Sequence, residues 1–163
     1  MKIYGVVGYK NAGKTGLMER LVIEIVSRGL SVSTVKHAHH SFDVDQPGKD
    51  SYRHREAGAS QTILSSANRW ALMTELRSSA EPSLQDLLDQ LAPVDLVLVE
   101  GYKRDKHPKI EAYRQETGHP LICENDPTVR AVAADCELDC GVPRFDLDDT
   151  KAIAEFILAD LGL

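Results

Sequence analysis

The sequence lacks any apolar run near the ~20 residues that a membrane-spanning helix requires. Its longest apolar stretches are Val94–Val99, interrupted by Asp95, and Leu21–Val26, interrupted by Glu24. Cysteine is scarce and odd in number, with Cys123, Cys136 and Cys140 alone, so no disulfide framework is expected. The Cys136-x3-Cys140 spacing has no neighbouring residues that complete a four-ligand metal set, and reduced thiols are the expectation. The chain opens Met-Lys-Ile-Tyr-Gly-Val-Val, a strand pattern without the apolar segment of a signal peptide, which points to the cytoplasm. Basic excess is missing too: 19 Lys+Arg stand against 25 Asp+Glu, a net charge of −6. That argues against a protein whose affinity comes from coating nucleic-acid phosphates, though not against one basic pocket. There is no repeat, low-complexity tract or linker, and a single domain over residues 1–163 is expected.

What is present is an alternation of strand and helix patterns. Lys2–Val7 reads as a buried strand, and Leu17, Leu21 and Ile25 recur at helical spacing after it. Gly29 sits where a helix-terminating glycine belongs, and Leu30–His37 is the next strand. This βαβ unit implies a parallel sheet with a right-handed crossover. Ala38–Lys49 is polar and long for a connection. Beyond it, Asp50–Ala57 and Ser83–Leu91 read as helices, and Gln61–Ser66 and Arg69–Leu76 as strands. Val94–Val99, ending in Glu100-Gly101, is apolar enough to be central in the sheet. Ile110–Arg114, Leu121–Glu124, Ala131–Ala134 and Arg144–Leu147 are further strand candidates, and Thr150–Leu161 closes the chain as a helix.

Gly8-Tyr9-Lys10-Asn11-Ala12-Gly13-Lys14-Thr15 matches G-x-x-x-x-G-K-[ST] between a predicted strand and a predicted helix. Glycines let the backbone wrap an anion, and the helix start adds favourable potential. Lys10, Asn11, Ala12, Gly13, Lys14, Thr15 and Gly16 are therefore candidate nucleotide contacts, with Lys14 on the β- and γ-phosphates and the Thr15 hydroxyl on Mg²⁺. The expected fold is α/β, a P-loop NTPase-type, predominantly parallel sheet flanked by helices in three layers. An acid at the end of an apolar strand completes such a metal site, and Glu100 fits, with Gly101 beside the nucleotide. Asp50 is a third metal candidate or a helix-capping carboxylate. Lys36 ends the second strand at the carboxyl edge, where open α/β sheets bind ligands, and is assigned to phosphate or another anion. His37, His39 and His40, with Asp43 and Asp45, are solvated loop residues, contacts to an anionic substrate, or a transition-metal set. The guanine-reading N/T-K-x-D pattern is absent. Asn125-Asp126-Pro127 either presents an amide and a carboxylate to a purine edge or starts a turn. The basic run 103–109 is a solvated loop, or it meets phosphate or an acidic partner.

Six stretches resemble, in order, the MobB family of GTP-binding adaptors of molybdopterin guanine dinucleotide synthesis. They are Gly8–Thr15, Val35–His40, Asp43–Ser51, Glu56–Ala59, Arg69–Glu75 and Leu98–Lys103, spread in family order through residues 1–103. After Arg114 the resemblance thins to Val132–Asp135 and the closing helix. It implies a homodimer that binds GTP and Mg²⁺, hydrolyses GTP slowly, and serves a molybdopterin guanylyltransferase that handles the molybdenum cofactor. P-loop relatives such as dethiobiotin synthetase use an acid after the second strand as a metal ligand, which by analogy is Asp50. Tyr9 stands where some members carry a signature lysine, and Lys10 is one position off. Two rival functions remain: a small-molecule kinase or ATP-dependent ligase of the dethiobiotin synthetase-like class, and a GTPase metallochaperone. The charge is unevenly spread. Residues 135–163 hold eight acids against Arg144 and Lys151, whereas residues 1–55 hold nine bases against five acids. The local cationic bias suits one polyphosphate.

Overall fold

The computed structural model describes residues 1–38 and 42–163, and His39 and His40 lie outside them. The chain gathers into two compact units, residues 1–37 with 87–163, and residues 38–86.

The first unit is built on six strands: β1 (Lys2–Val7), β2 (Val32–Lys36), β5 (Leu96–Glu100), β6 (Lys109–Tyr113), β7 (Val129–Ala134) and β8 (Arg144–Asp146). Their order is β2-β5-β1-β6-β7-β8, and every neighbouring pair is parallel. β5 has all five residues buried, as its apolar run requires. Because β1 lies between β5 and β6, the chain leaves β1 toward one half of the sheet and later fills the other. The carboxyl end of β1 is thus the switch point at which open α/β sheets form ligand crevices.

Strand alternation divides the core. Tyr4, Val6, Leu96, Leu98, Ile110 and Ala112 share one face and pack under α1 (Lys14–Ser27) and α4 (Thr150–Leu161). Leu17, Leu21 and Ile25 of α1 and Ile153 and Ile157 of α4 are fully buried there. α4 is capped by Asp149, whose carboxylate accepts from the Ala152 amide at 3.1 Å. The opposite face carries Val97 and Val99 but also Lys109 and Glu111, both fully buried.

The second unit holds α2 (Asp50–Glu56) and an antiparallel hairpin of β3 (Gln61–Ser65) and β4 (Trp70–Thr74), as the sequence patterns predict. The remaining helix pattern is shorter than expected. α3 covers only Leu84–Leu88, and the i→i+3 bonds of Gln90 and Leu91 then tighten the chain into a turn.

The strand expected at Leu121–Glu124 is instead a turn. The Ile122 and Cys123 amides that a ladder would use donate to the Glu111 carboxylate at 2.9–3.0 Å. All three cysteines are free, and burial pushes the Cys123 thiol up to about 12. No helix of the described residues is long and apolar enough to cross a membrane.

Candidate nucleotide site

The glycine-rich loop follows β1 at the switch point. A Cβ on Gly8 would stand 2.5 Å from the Ala112 carbonyl oxygen of the neighbouring strand, so only glycine lets the loop leave the sheet here. Gly13 takes a left-handed conformation and caps α1 without a side-chain hydrogen bond, and no acid occupies the first turn. The first amides of a helix have no intrahelical partner, so this uncapped end offers donors and positive potential to an anion. Lys14 folds back, its Nζ donating to the Tyr9 carbonyl at 2.7 Å. Burial lowers its pKa, with Glu100 opposing and the Lys103 and Lys36 charges adding to the shift. Asn11, Gly13, Lys14, Thr15 and Gly16 line a cleft of about 320 Å³ together with Arg114 and Glu116. Ala12 is buried beneath the loop and Lys10 is exposed beside it.

Lys36 and Glu100 face each other in the β2–β5 register, and the Lys36 Nζ meets both carboxylate oxygens at 3.0 and 3.1 Å. Glu100 is 9% exposed, and the more exposed lysine offsets its charge. The Gly101 amide is occupied by the Val6 carbonyl at 3.2 Å. Thr15 is exposed in the first turn of α1. Hard oxygens at Thr15 and Glu100 fit a magnesium ion, which needs few protein ligands. Asp50 opens α2 in the second unit, exposed and in its first turn. His37 lies against Tyr102, ring centroids 5.0 Å apart. Among the described residues no group of three or more His, Cys, Asp or Glu side chains could hold a metal ion.

Asn125 does not reach the loop's cleft. It precedes β7, at the amino end of a strand parallel to β1, whereas the glycine-rich loop lies at the carboxyl end. Of the basic run, Lys109 turns inward and is fully buried. Arg114 and Glu116 were not among the sequence candidates. The Arg114 Nε stands 3.2 Å from where a Cβ of Gly13 would be, and its guanidinium has no ion pair among the described residues. Its place one residue past β6 is the only signal, and it becomes one only when β6 is known to adjoin β1.

The family model described as "Molybdopterin guanine dinucleotide synthesis protein B" matches residues 3–135. The chain belongs to the MobB family. It is 42% identical over 153 residues to the molybdopterin-guanine dinucleotide biosynthesis adapter protein of Escherichia coli K12, covering 92% of this chain and 87% of that protein. The Haemophilus influenzae adapter protein is 44% identical over 158 residues, with 95% and 86% covered. Among solved structures, a MobB homolog from Bacillus stearothermophilus superposes with a TM-score of 0.71 at 31% identity, covering 99% of both chains. Bacillus subtilis MobB does so with a TM-score of 0.79 at 26% identity, covering 99% and 98%. The MobB fold is thus shared along the whole chain, beyond the stretches on which the sequence resemblance rests.

Proposed function

We propose that this chain is a cytoplasmic adaptor of molybdopterin guanine dinucleotide biosynthesis that binds GTP with Mg²⁺, acts as a homodimer and serves a molybdopterin guanylyltransferase. The observation that carries the nucleotide part is the uncapped start of α1 behind a loop that only glycine can form at Gly8. Membership of a family whose relatives are described as adapter proteins supports the pathway.

In this reading the loop amides and Lys14 hold the phosphates, Lys14 exchanging the Tyr9 carbonyl for phosphate oxygen. Thr15 and Glu100 hold the metal, and Lys36 shares the Glu100 charge. When bound, Mg²⁺ neutralises charge on the β- and γ-phosphates. Hydrolysis then rests on positioning and charge stabilisation without a dedicated base, which makes it slow. Arg114 adds a cation on the side of the loop away from Glu100, because β6 and β5 flank β1 on opposite sides.

Isothermal calorimetry with GTP, ATP and Mg²⁺ tests the assignment. GTP is expected to bind more tightly than ATP, and Lys14→Ala to abolish binding while circular dichroism stays unchanged. Unchanged affinity in that variant overturns the P-loop reading. Capture of a purified molybdopterin guanylyltransferase by the immobilised chain tests the partner separately.

A further inference from the structure

The face of the sheet away from α1 holds a second cleft, of about 670 Å³, in the size range of small-molecule sites. Its walls are two segments fixed by buried charges on β6. The Lys109 ammonium donates to the Asp105 and His107 carbonyls and to the Thr128 hydroxyl, and lies 3.7 Å from the Asp126 carboxylate. Glu111 takes the Ile122 and Cys123 amides. Gly5 of β1 leaves the room this requires, since a Cβ there would stand 2.6 Å from His107 Nε2 and 2.8 Å from Lys109 Cγ. Two desolvated charges are a costly way to hold loops, and they leave those loops pre-set around a cavity.

The two walls differ in chemistry. Lys103, Arg104 and Lys106 make one cationic, against Asp105, while Asp126 is already matched by Lys109. Pro120, Leu121, Ile122 and Pro127 make the other apolar, and Asn125 adds an amide that both donates and accepts. The half-buried Lys103 Nζ lies 4.2 Å from the centroid of the Tyr9 ring and has neither an ion pair nor a hydrogen bond among the described residues. We propose that this cleft is a second ligand site, taking an organic phosphate whose flat ring rests on the apolar wall and whose anion meets Lys103.

Asn125 suits the lactam edge of a guanine or a pterin, and a nucleotide and a pterin phosphate share that chemistry. Choosing the pterin as one source rests on the proposed function, whereas the charge and shape of the cleft do not. Tyr9 ties the two sites together: its ring borders this cleft and its carbonyl holds Lys14. Each ligand is therefore expected to change the affinity of the other by the same factor.

6-Hydroxymethylpterin monophosphate and GMP serve as probes, titrated by fluorescence and calorimetry into the full chain and into the Lys14→Ala, Lys103→Gln and Asn125→Ala variants. One probe is expected to bind at one per chain to both wild type and Lys14→Ala. Binding should weaken about tenfold in Lys103→Gln, as loss of a charged hydrogen bond predicts, and less in Asn125→Ala. Preference for the pterin or for GMP identifies the source. The proposal is overturned if neither probe binds, if binding disappears in Lys14→Ala, or if both cleft variants, folded by circular dichroism, bind like wild type. GTP with Mg²⁺ is titrated alongside into wild type and Lys14→Ala, and its loss of affinity in that variant reports on the P-loop assignment independently of the cleft.

Discussion

Glu100 and Lys36 form a pair in which each side chain prepares the other. The carboxylate is nearly covered at the end of β5, and without a cation its desolvation would be expensive. Lys36 supplies that cation from the edge strand while remaining exposed enough to move. Glu100→Gln is therefore expected to fold normally and to lose the Mg²⁺-dependent part of GTP affinity, about tenfold, while binding in EDTA is unchanged. Calorimetry with and without Mg²⁺ reads the difference. Arg114→Ala should weaken GTP and GDP alike by about tenfold, the usual worth of one charged hydrogen bond. An effect confined to GTP would place Arg114 at the γ-phosphate instead. The loop, Lys36 and Glu100 were legible because each lies where a local pattern changes from apolar strand to polar residues. Arg114 was not, since its neighbour is set by strand order, which no local pattern encodes. Asn125 lines the cleft with Tyr9 and Lys103 rather than the one with Thr15, and an Asx-Pro turn does not say which cleft it adjoins.

The elements read from periodicity survive where burial is one-sided or complete, as in β1, β5, α1 and α4. They fail where a distant side chain takes the backbone's hydrogen bonds, as Glu111 does at Ile122 and Cys123. Residues 43–45, before α2, are held for a related reason, by ion pairs within the second unit that no local pattern encodes. Arg55, on α2, donates to Asp45 at 2.6 and 3.1 Å, to Asp43 at 3.0 Å and to Glu75 at 2.8 Å. It also lies 5.2 Å from the Tyr52 ring centroid. The Arg55 hydrogen bonds hold the Asp45 carboxyl below the usual carboxylate range. A depressed folded pKa means the stabilisation is complete above the unfolded value of ~3.9 and is lost as the pH falls through the folded one. Amide exchange over 43–49 and β3–β4, corrected for intrinsic rates, should therefore rise below about pH 4 while β1 and β5 stay protected. Arg55→Ala should produce the same pattern at neutral pH. Uniform exchange over both units in that variant would show that the network is not a local staple.

At the scale of the whole molecule, the β3–β4 hairpin carries an apolar face that is exposed to solvent. On the β3–β4 hairpin the cross-strand pairs Ile63–Leu72 and Ser65–Trp70 share a face. Ile63 is 66% exposed, Trp70 69% and Leu72 40%. Thr62, paired with Met73 on the other face, is buried. A two-stranded hairpin is marginal by itself, and a contiguous apolar face on it marks a contact surface rather than a solvated one. A second copy of the chain is the economical partner, because a self-complementary patch closes a two-fold dimer without further surface. If the hairpin is that interface, wild type should elute with twice the 18.0 kDa mass of one chain in light scattering coupled to size exclusion. Trp70→Ser with Leu72→Ser should return it to a single chain at micromolar concentration, with α1 and the sheet of the first unit still folded by amide exchange. A wild type that elutes as one chain removes the homodimer from the proposed function. A dimer untouched by the double substitution moves the interface off the hairpin, and the exposed Ile63–Leu72–Trp70 face would then be open to a different protein.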